Sequence, residues 1–208
     1  MRYYPICVDM AGRACLVVGG GIVAERKVTG LLESGARVTV VSPALTARLE
    51  AWAHEGQIRV IRRGYETGDL ADQSLVFIAT DDGEVNATVA ADARAAGVLI
   101  NAADDPAHCD FIIPAVLTRG ALTVAVSTGG ASPALSRAVR DELETHLDRE
   151  DYASLLEVAA DARARLRERS APQPWERWRQ ALDGEVRRLV SAGRVGEARA
   201  RLMERLGG

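Results

Sequence analysis

Three features predict an α/β fold for this chain: a glycine-rich turn between a short apolar run and a stretch of helical spacing, the repetition of that alternation as far as residue 101, and a change of pattern after it. Cys15 to Val18 is apolar, Gly19 to Gly21 can turn sharply, Val23 to Ser34 has helical spacing, and Val38 to Val41 is apolar and β-branched again. These pieces make one βαβ unit, and Gly19-x-Gly21-x-x-Ala24 falls where the G-x-G-x-x-G/A fingerprint of a Rossmann-type parallel sheet belongs.

In that fingerprint Gly19 permits the tight turn, Gly21 lets a pyrophosphate approach the backbone, and Ala24 is small enough for the helix to pack close to the strand. The N–H groups of Ile22 and Val23 then point, unpaired, at the anion from the helix N-terminus. A glycine turn that binds nothing is the competing explanation; the strand before, the helix after and the second strand weigh against it. A dinucleotide is the expected ligand. The carboxylate that usually accepts from the adenosine ribose, about 20 residues past the first glycine, is missing, because that place reads Val41-Ser42-Pro43. Ser42 can bond a ribose hydroxyl, and Arg37 and Arg48 are the nearest cations for a 2′-phosphate, so these residues alone leave NAD against NADP open.

Ahead of the fingerprint, Ile6 and Val8 can add a short edge segment. After it, Leu45 to His54 reads as a helix and Gln57 to Ile61 as a strand, followed by the polar loop Arg62-Arg63-Gly64-Tyr65, whose arginines suit a solvated surface better than an anion site. Leu75 to Thr80 is the next buried strand, ending in Asp81-Asp82-Gly83 before a helix from Glu84 to Ala96. Ligands of an open parallel sheet gather at the carboxyl ends of its strands, so Thr80 and Asp81 should face the cofactor, while Asp82 suits a helix N-cap. Val98 to Asn101 is the last parallel strand and runs into Asn101-Ala-Ala-Asp-Asp-Pro-Ala-His-Cys-Asp-Phe111. By the same rule Asn101, Asp104, Asp105, His108 and Asp110 should lie near the nicotinamide end of the dinucleotide. No spacing among them and Cys109 fixes a metal tetrahedron, and His108 reads as a loop residue.

The pattern then changes. Phe111 to Thr118 and Ala121 to Ser127 flank Arg119-Gly120 as a β-hairpin, whose apolar face must be buried on the helices that follow or on a second copy of the chain; a homodimer is expected. Ser127-Thr-Gly-Gly-Ala-Ser-Pro133 opens a helix from Ala134 to Leu147 with Ser132 as N-cap, and its hydroxyls and helix-end N–H groups suit a carboxylate ligand. From Tyr152 onward Ala, Leu, Arg and Glu recur at helical spacing, giving three or four small helices, with Trp175 and Trp178 on one face as core or interface. The expected division is a dinucleotide-binding domain over 1–110, a hairpin and helix dimerisation region over 111–150, and a small C-terminal helical domain over 151–208.

Length and composition agree. The 208 residues, 48% of them hydrophobic, suffice for one ordinary domain and an appendage. A net charge of -3 with dispersed Lys and Arg argues against nucleic acid and anionic membrane as partners. The start has no apolar signal region and no run approaches the roughly 18 apolar residues of a membrane span, so a cytoplasmic location is expected. Cys7, Cys15 and Cys109 are too scattered for a C-x-x-C pair and suit a reducing compartment, with Cys15 as core; His54, His108 and His146 form no H-x-x-x-H, and no structural metal is expected.

Taken in order, Gly19-Gly-Gly-Ile-Val-Ala-Glu-Arg-Lys27, Ala79-Thr-Asp-Asp82 with Val85-Asn86, Asn101-Ala-Ala-Asp-Asp-Pro106, Phe111-Ile-Ile-Pro-Ala115 and Val126-Ser-Thr-Gly-Gly-Ala-Ser-Pro133 resemble the precorrin-2 dehydrogenase family, the dehydrogenase/ferrochelatase part of siroheme synthases. The match runs from about residue 5 to 145. The resemblance implies NAD-dependent oxidation of precorrin-2 to sirohydrochlorin, and in the bifunctional members insertion of ferrous iron to give siroheme. It implies a dimer in which hairpin and helices are exchanged. The family's essential aspartate falls on Asp104, and its cofactor contacts fall on Ile22, Val23, Pro43 and Ala44. The serine that bifunctional members carry before the Gly-Gly pair is Thr128 here, and the methyltransferase part of some siroheme synthases is expected to be absent.

The chemistry of these residues suits that reaction, which removes a hydride and a proton and so needs a base near the nicotinamide. Asp104 is the expected base, with Asp105 as its competitor, and Asp105, Arg119, Thr128 and Ser132 are the expected contacts to the substrate, which carries eight carboxylates. The alternative is an NAD-sensing regulatory module of the kind that gates potassium channels, which has no use for a carboxylate loop and a hydroxyl-glycine turn together.

Overall fold

The computed structural model describes residues 3–103 and 105–207, and the chain divides into two compact units after Ile112. The first contains β1 (Ala14–Val18), α1 (Ile22–Glu33), β2 (Arg37–Val41), α2 (Ala47–His54), β3 (Ile58–Ile61), β4 (Leu75–Ile78), α3 (Gly83–Ala96), β5 (Leu99–Ala102) and a 3-10 turn (Pro106–His108). The strands pair in parallel in the order β3-β2-β1-β4-β5. Successive side chains of β1 enter opposite layers, as the strand period requires. Cys15 and Val17 join Ala24, Val28 and Leu31 of α1 and Leu49 of α2 on one face, while Leu16 and Val18 join Val89, Ala90 and Ala93 of α3 on the other. Cys15 is core, and burial pushes its thiol up to about 11. The expected parallel sheet is therefore covered on both faces. Its strand order reverses between β1 and β4, and that switch point is where such sheets bind ligands.

The expected edge segment at Ile6 and Val8 does not form: no strand is assigned there, and Ile6 is 66% exposed. The turn from Met10 to Arg13 delivers the chain to β1, which already has β2 on one side and β4 on the other, so no free edge is at hand. Helix α2 begins at Ala47, because Thr46 takes the N-cap position and its hydroxyl accepts from the Leu49 amide at 3.3 Å.

The second unit contains β6 (Ala115–Arg119), β7 (Leu122–Val126), α4 (Pro133–Leu147), α5 (Tyr152–Glu168), α6 (Trp175–Ala181), α7 (Gly184–Ser191) and α8 (Val195–Leu206). Arg119 pairs with Leu122, so the hairpin turns through Gly120-Ala121, one residue later than expected. Gly120 has φ of 57° and Ala121 keeps a negative φ, so the glycine must take the first central position. The ladder starts at Ala115 because Pro114 has no N–H to donate. Helix α4 lies against both strands, yet of its 15 residues Ser136 alone is buried. Helices α5 to α8 enclose a separate core around Leu155, Val158, Leu166, Val186, Leu202 and Leu206. Trp178 packs on this core while Trp175 is 69% exposed, so the two do not share one buried face. Among the described residues no helix is long and apolar enough to cross a membrane.

Leu202 is fully buried in the helical core. Leu202→Ala should therefore lower the stability of the second unit by about 2–5 kcal/mol, read as a shift of its denaturant midpoint at unchanged slope.

Candidate functional site

At the carboxyl end of β1 the backbone passes so close to its neighbours that side chains are excluded. A Cβ on Gly19 would lie 2.3 Å from the Ala79 carbonyl oxygen, and one on Gly20 would lie 1.9 Å from that of Ala44. Gly19 also has φ of 115°, which only glycine adopts without strain. Gly21 differs: nothing lies within 4 Å of where its Cβ would be. That open space lies over the start of α1, whose N-cap is Gly21 and has no side-chain cap, whereas Thr46 caps α2 and Asp82 caps α3. The first-turn N–H groups of Ile22 and Val23 are thus left for an anion, with the positive end of the helix dipole behind them. The phosphates of a dinucleotide suit this cradle in charge, and the space at Gly21 leaves the backbone open to them.

The loop after β2 closes the cradle. Gly19 N–H donates to Val41 O at 2.9 Å, Thr46 N–H donates to Gly20 O at 2.9 Å, and the Thr46 hydroxyl donates to Glu25 Oε2 at 2.8 Å. Pro43 and Ala44 lie in this loop. Ser42 is buried, and its hydroxyl donates to Ala44 O at 2.7 Å, so its proton is used inside the protein. Glu25 and Thr46 were not among the expected site residues; a threonine before an apolar-periodic run was the available signal for the second.

At the end of β4, Thr80 holds the entry to α3: its hydroxyl accepts from the Asp82 amide at 3.1 Å and its carbonyl accepts from Asn86 Nδ2 at 3.2 Å. Asp82 takes the capping role, accepting from the amides of Glu84 and Val85, and Asp81 is exposed beside it.

The segment after β5 is held by its own polar groups. Ala103 N–H donates to Ile78 O at 2.9 Å. Asn101 is buried, donating to Phe111 O at 3.0 Å and accepting from Lys27 Nζ at 3.1 Å. Lys27, from α1, lies 5.3 Å over the Phe77 ring, which meets Phe111 edge-on. The Cys109 sulfur sits 3.2 Å from both the amide and the carbonyl of Ala102, and Asp110 accepts from Ile100 N–H at 3.1 Å. Asp105 accepts from Ala107 N–H and lies 2.5 Å from His108 Nδ1; that hydrogen bond holds its carboxyl below the ordinary range. Asn101, Cys109 and Asp110 therefore serve the loop, and Asp105 is paired rather than poised as a base. Asp104 lies outside the described residues.

In the second unit, Arg119 donates to Asp148 at 2.5 Å and to Glu144 at 3.1 Å, so its charge is already matched. The Thr128 hydroxyl accepts from Ser132 N–H at 3.0 Å and lies 3.1 Å from Ser136 Oγ, while Ser132 Oγ accepts from Leu135 N–H as the α4 cap. These hydroxyls build the turn, in which Gly129 and Gly130 take positive φ. Arg62 and Arg63 are likewise engaged, with Glu50 and Asp69.

Gly20→Ala should unfold the cradle, costing more than the roughly 1–3 kcal/mol of ordinary overpacking because the obstacle is backbone, as thermal denaturation would register. The Asp105 pairing contributes order to the loop above the usual Asp range near 3.9 and loses it as pH falls through the depressed folded value. Protection of the loop amides, taken relative to the intrinsic exchange rate at each pH, should fall on that acid limb in the wild type and should be low at every pH in Asp105→Asn.

A family model described as putative NAD(P)-binding matches residues 6–115, and one described as sirohaem biosynthesis protein central matches residues 119–146. The siroheme synthase of Nitrosococcus oceani is 41% identical over 210 residues, covering 100% of this chain and 45% of that protein. The siroheme synthase of Methylococcus capsulatus is 41% identical over 207 residues, covering 98% of this chain and 43% of the other. This chain thus spans less than half the length of these curated relatives. The solved structure of SirC, precorrin-2 dehydrogenase, is similar with a TM-score of 0.74 at 29% identity, covering 97% of this chain and 100% of that one. Because the putative NAD(P)-binding model spans more than half of the residues, this chain belongs to that NAD(P)-binding family, and in it the nucleotide-binding part is followed directly by a segment matching the sirohaem biosynthesis model.

Proposed function

We propose that this chain oxidises precorrin-2 to sirohydrochlorin with NAD as hydride acceptor, acting in the cytoplasm as a homodimer. The observation that carries the reading is the open, uncapped glycine cradle in a chain whose next segment, residues 119–146, matches the sirohaem model. That second match favours the enzyme over an NAD-sensing module.

When bound, the nicotinamide supplies a two-electron acceptor for the hydride. The chain's own residues do the rest. Ile22 and Val23 hold the pyrophosphate by their N–H groups, Pro43 and Ala44 border the adenosine, and Thr80, Asp81 and Asn101 line the path from there to the nicotinamide. Asp104 takes the proton released with the hydride. It is preferred to Asp105 because His108 keeps the Asp105 carboxyl ionised and paired, which makes it the weaker base. The substrate carboxylates are assigned to the Ser127–Ser132 turn with Thr128 and Ser132, more than to Arg119, whose charge Asp148 and Glu144 already match.

NAD is preferred to NADP because neither cation flanking β2 stands beside the cradle with its guanidinium turned to it by a hydrogen bond. Arg37 Nε donates to Gly12 O at 2.8 Å, at the amino end of β2, and the Arg48 guanidinium stacks 4.9 Å over Trp52. The homodimer reading is supported by apolar side chains left exposed on the second unit, where Leu135 of α4 is 55% exposed and Val116 of β6 is 41% exposed. Residues 1–110 are then the nucleotide-binding part, 111–150 the dimerisation region and 151–208 a helical appendage.

Asp104→Ala should abolish NADH formation from precorrin-2 while leaving the dissociation constant for NADH within about twofold of the wild type, a change worth under about half a kcal/mol. Undiminished turnover would remove Asp104 from this role, and a wild type that bound NADH without consuming the tetrapyrrole would favour the sensor. Adding ferrous ion to the product in the same cuvette asks whether iron is a second substrate.

A further inference from the structure

We propose that Glu25 sets the preference for NAD over NADP, supplying from α1 the carboxylate that the end of β2 lacks. The inference rests on the reading that this chain binds a nicotinamide dinucleotide. In parallel sheets of this kind an acidic side chain at the end of the second strand accepts from the adenosine ribose. Here that place holds Val41-Ser42-Pro43, and Ser42 is buried with its hydroxyl turned to the Ala44 carbonyl.

Glu25 reaches the same corner by another route. It stands in the opening turns of α1, and its Oε2 accepts the Thr46 hydroxyl at 2.8 Å. Thr46 is itself fixed, since its amide donates to the Gly20 carbonyl at 2.9 Å and its Oγ1 accepts from Leu49 N–H. The carboxylate thus hangs between the glycine turn that receives the pyrophosphate and the loop that borders the adenosine. Its other oxygen, Oε1, has no hydrogen bond among the described residues and can accept from a ribose hydroxyl. A 2′-phosphate in that corner would face a like charge. Of the nearby arginines, Arg37 stands at the amino end of β2, Arg48 lies over the Trp52 ring, and Arg62 at the end of β3 is held by both oxygens of Glu50 at 2.6 Å.

A purely structural role for Glu25, as a clamp on Thr46, makes a different prediction. Glu25→Gln keeps an acceptor for the Thr46 hydroxyl and removes only the charge. A clamp would leave the ratio of the two affinities unmoved; a charge determinant would not.

NADH and NADPH are titrated by fluorescence against wild type, Glu25→Gln and Glu25→Asp, with a melting curve for each. The wild type should bind NADH at least about tenfold more tightly than NADPH, the scale of one carboxylate-phosphate repulsion in a partly wet site. In Glu25→Gln the NADPH constant should tighten by about tenfold while NADH weakens by no more than about threefold, with little change in melting temperature. Glu25→Asp, which keeps the charge, should retain the preference for NADH and serves if the glutamine variant does not fold. An unchanged NADH to NADPH ratio in Glu25→Gln, a wild-type ratio near one, or a ratio near one in Glu25→Asp overturns the assignment. A wild type that binds neither dinucleotide overturns the dinucleotide reading beneath it.

Discussion

Between Gly19 and Gly21 the main chain passes beneath two carbonyl groups with no room for a methyl group, and much of the first unit is arranged around that passage. The Ala79 carbonyl presses from the residue after β4 and the Ala44 carbonyl from the loop after β2. Backbone hydrogen bonds fix both approaches: Ala79 N–H to Val18 O, Gly19 N–H to Val41 O and Thr46 N–H to Gly20 O. The turn therefore ties β1 to the element on either side of it, at the switch point of the sheet. The requirement for glycine at positions 19 and 20 comes from folding, whereas at position 21, where nothing lies within 4 Å of a Cβ, packing imposes none.

The same end of the sheet poses a second problem. An irregular segment that returns to a buried strand carries amide groups that regular pairing no longer satisfies, and each left unpaired in the interior is costly. After β5 side chains solve it. Asn101 bridges Lys27 and the Phe111 carbonyl, Cys109 meets both polar groups of Ala102, and Asp110 accepts the Ile100 amide. Polar residues that looked like chemistry in the sequence are thereby committed to holding a loop. The rigidity they give is what a reacting group on such a loop requires, because catalysis depends on placement to within a fraction of an ångström.

The parallel sheet and its helices were legible because each strand and helix shows its own period over enough residues, and Gly19-x-Gly21-x-x-Ala24 fixed where the first turn falls. Strand and helix ends shifted by one or two residues, as at α2, where the Thr46 cap decides. Three features were not legible. Ile6 and Val8 have the alternation of a strand, but pairing needs an open edge, which topology and not local sequence provides. The hairpin turn moved to Gly120-Ala121 because strand register depends on which residue must take positive φ. Trp175 and Trp178 have the spacing of one face, but α6 spans only Trp175–Ala181 and meets the helical core through Trp178 and Ala181. The Glu25–Thr46 bond joins residues 21 apart, and pairing at that separation leaves no local pattern.

Capping gives the last step. A side-chain cap stabilises a helix by about 1 kcal/mol, and α2 and α3 of the first unit have one, through Thr46 and Asp82. At α1 Gly21 forgoes that stabilisation, leaving the first-turn N–H groups without a side-chain acceptor and open to an anion. Ile22, on that turn, is 65% exposed. An acidic protein of net charge -3 cannot gather a polyanion by its overall field. Any polyanion it takes must be held by local dipoles fixed by the backbone, and those serve only where the protein's own side chains leave them free.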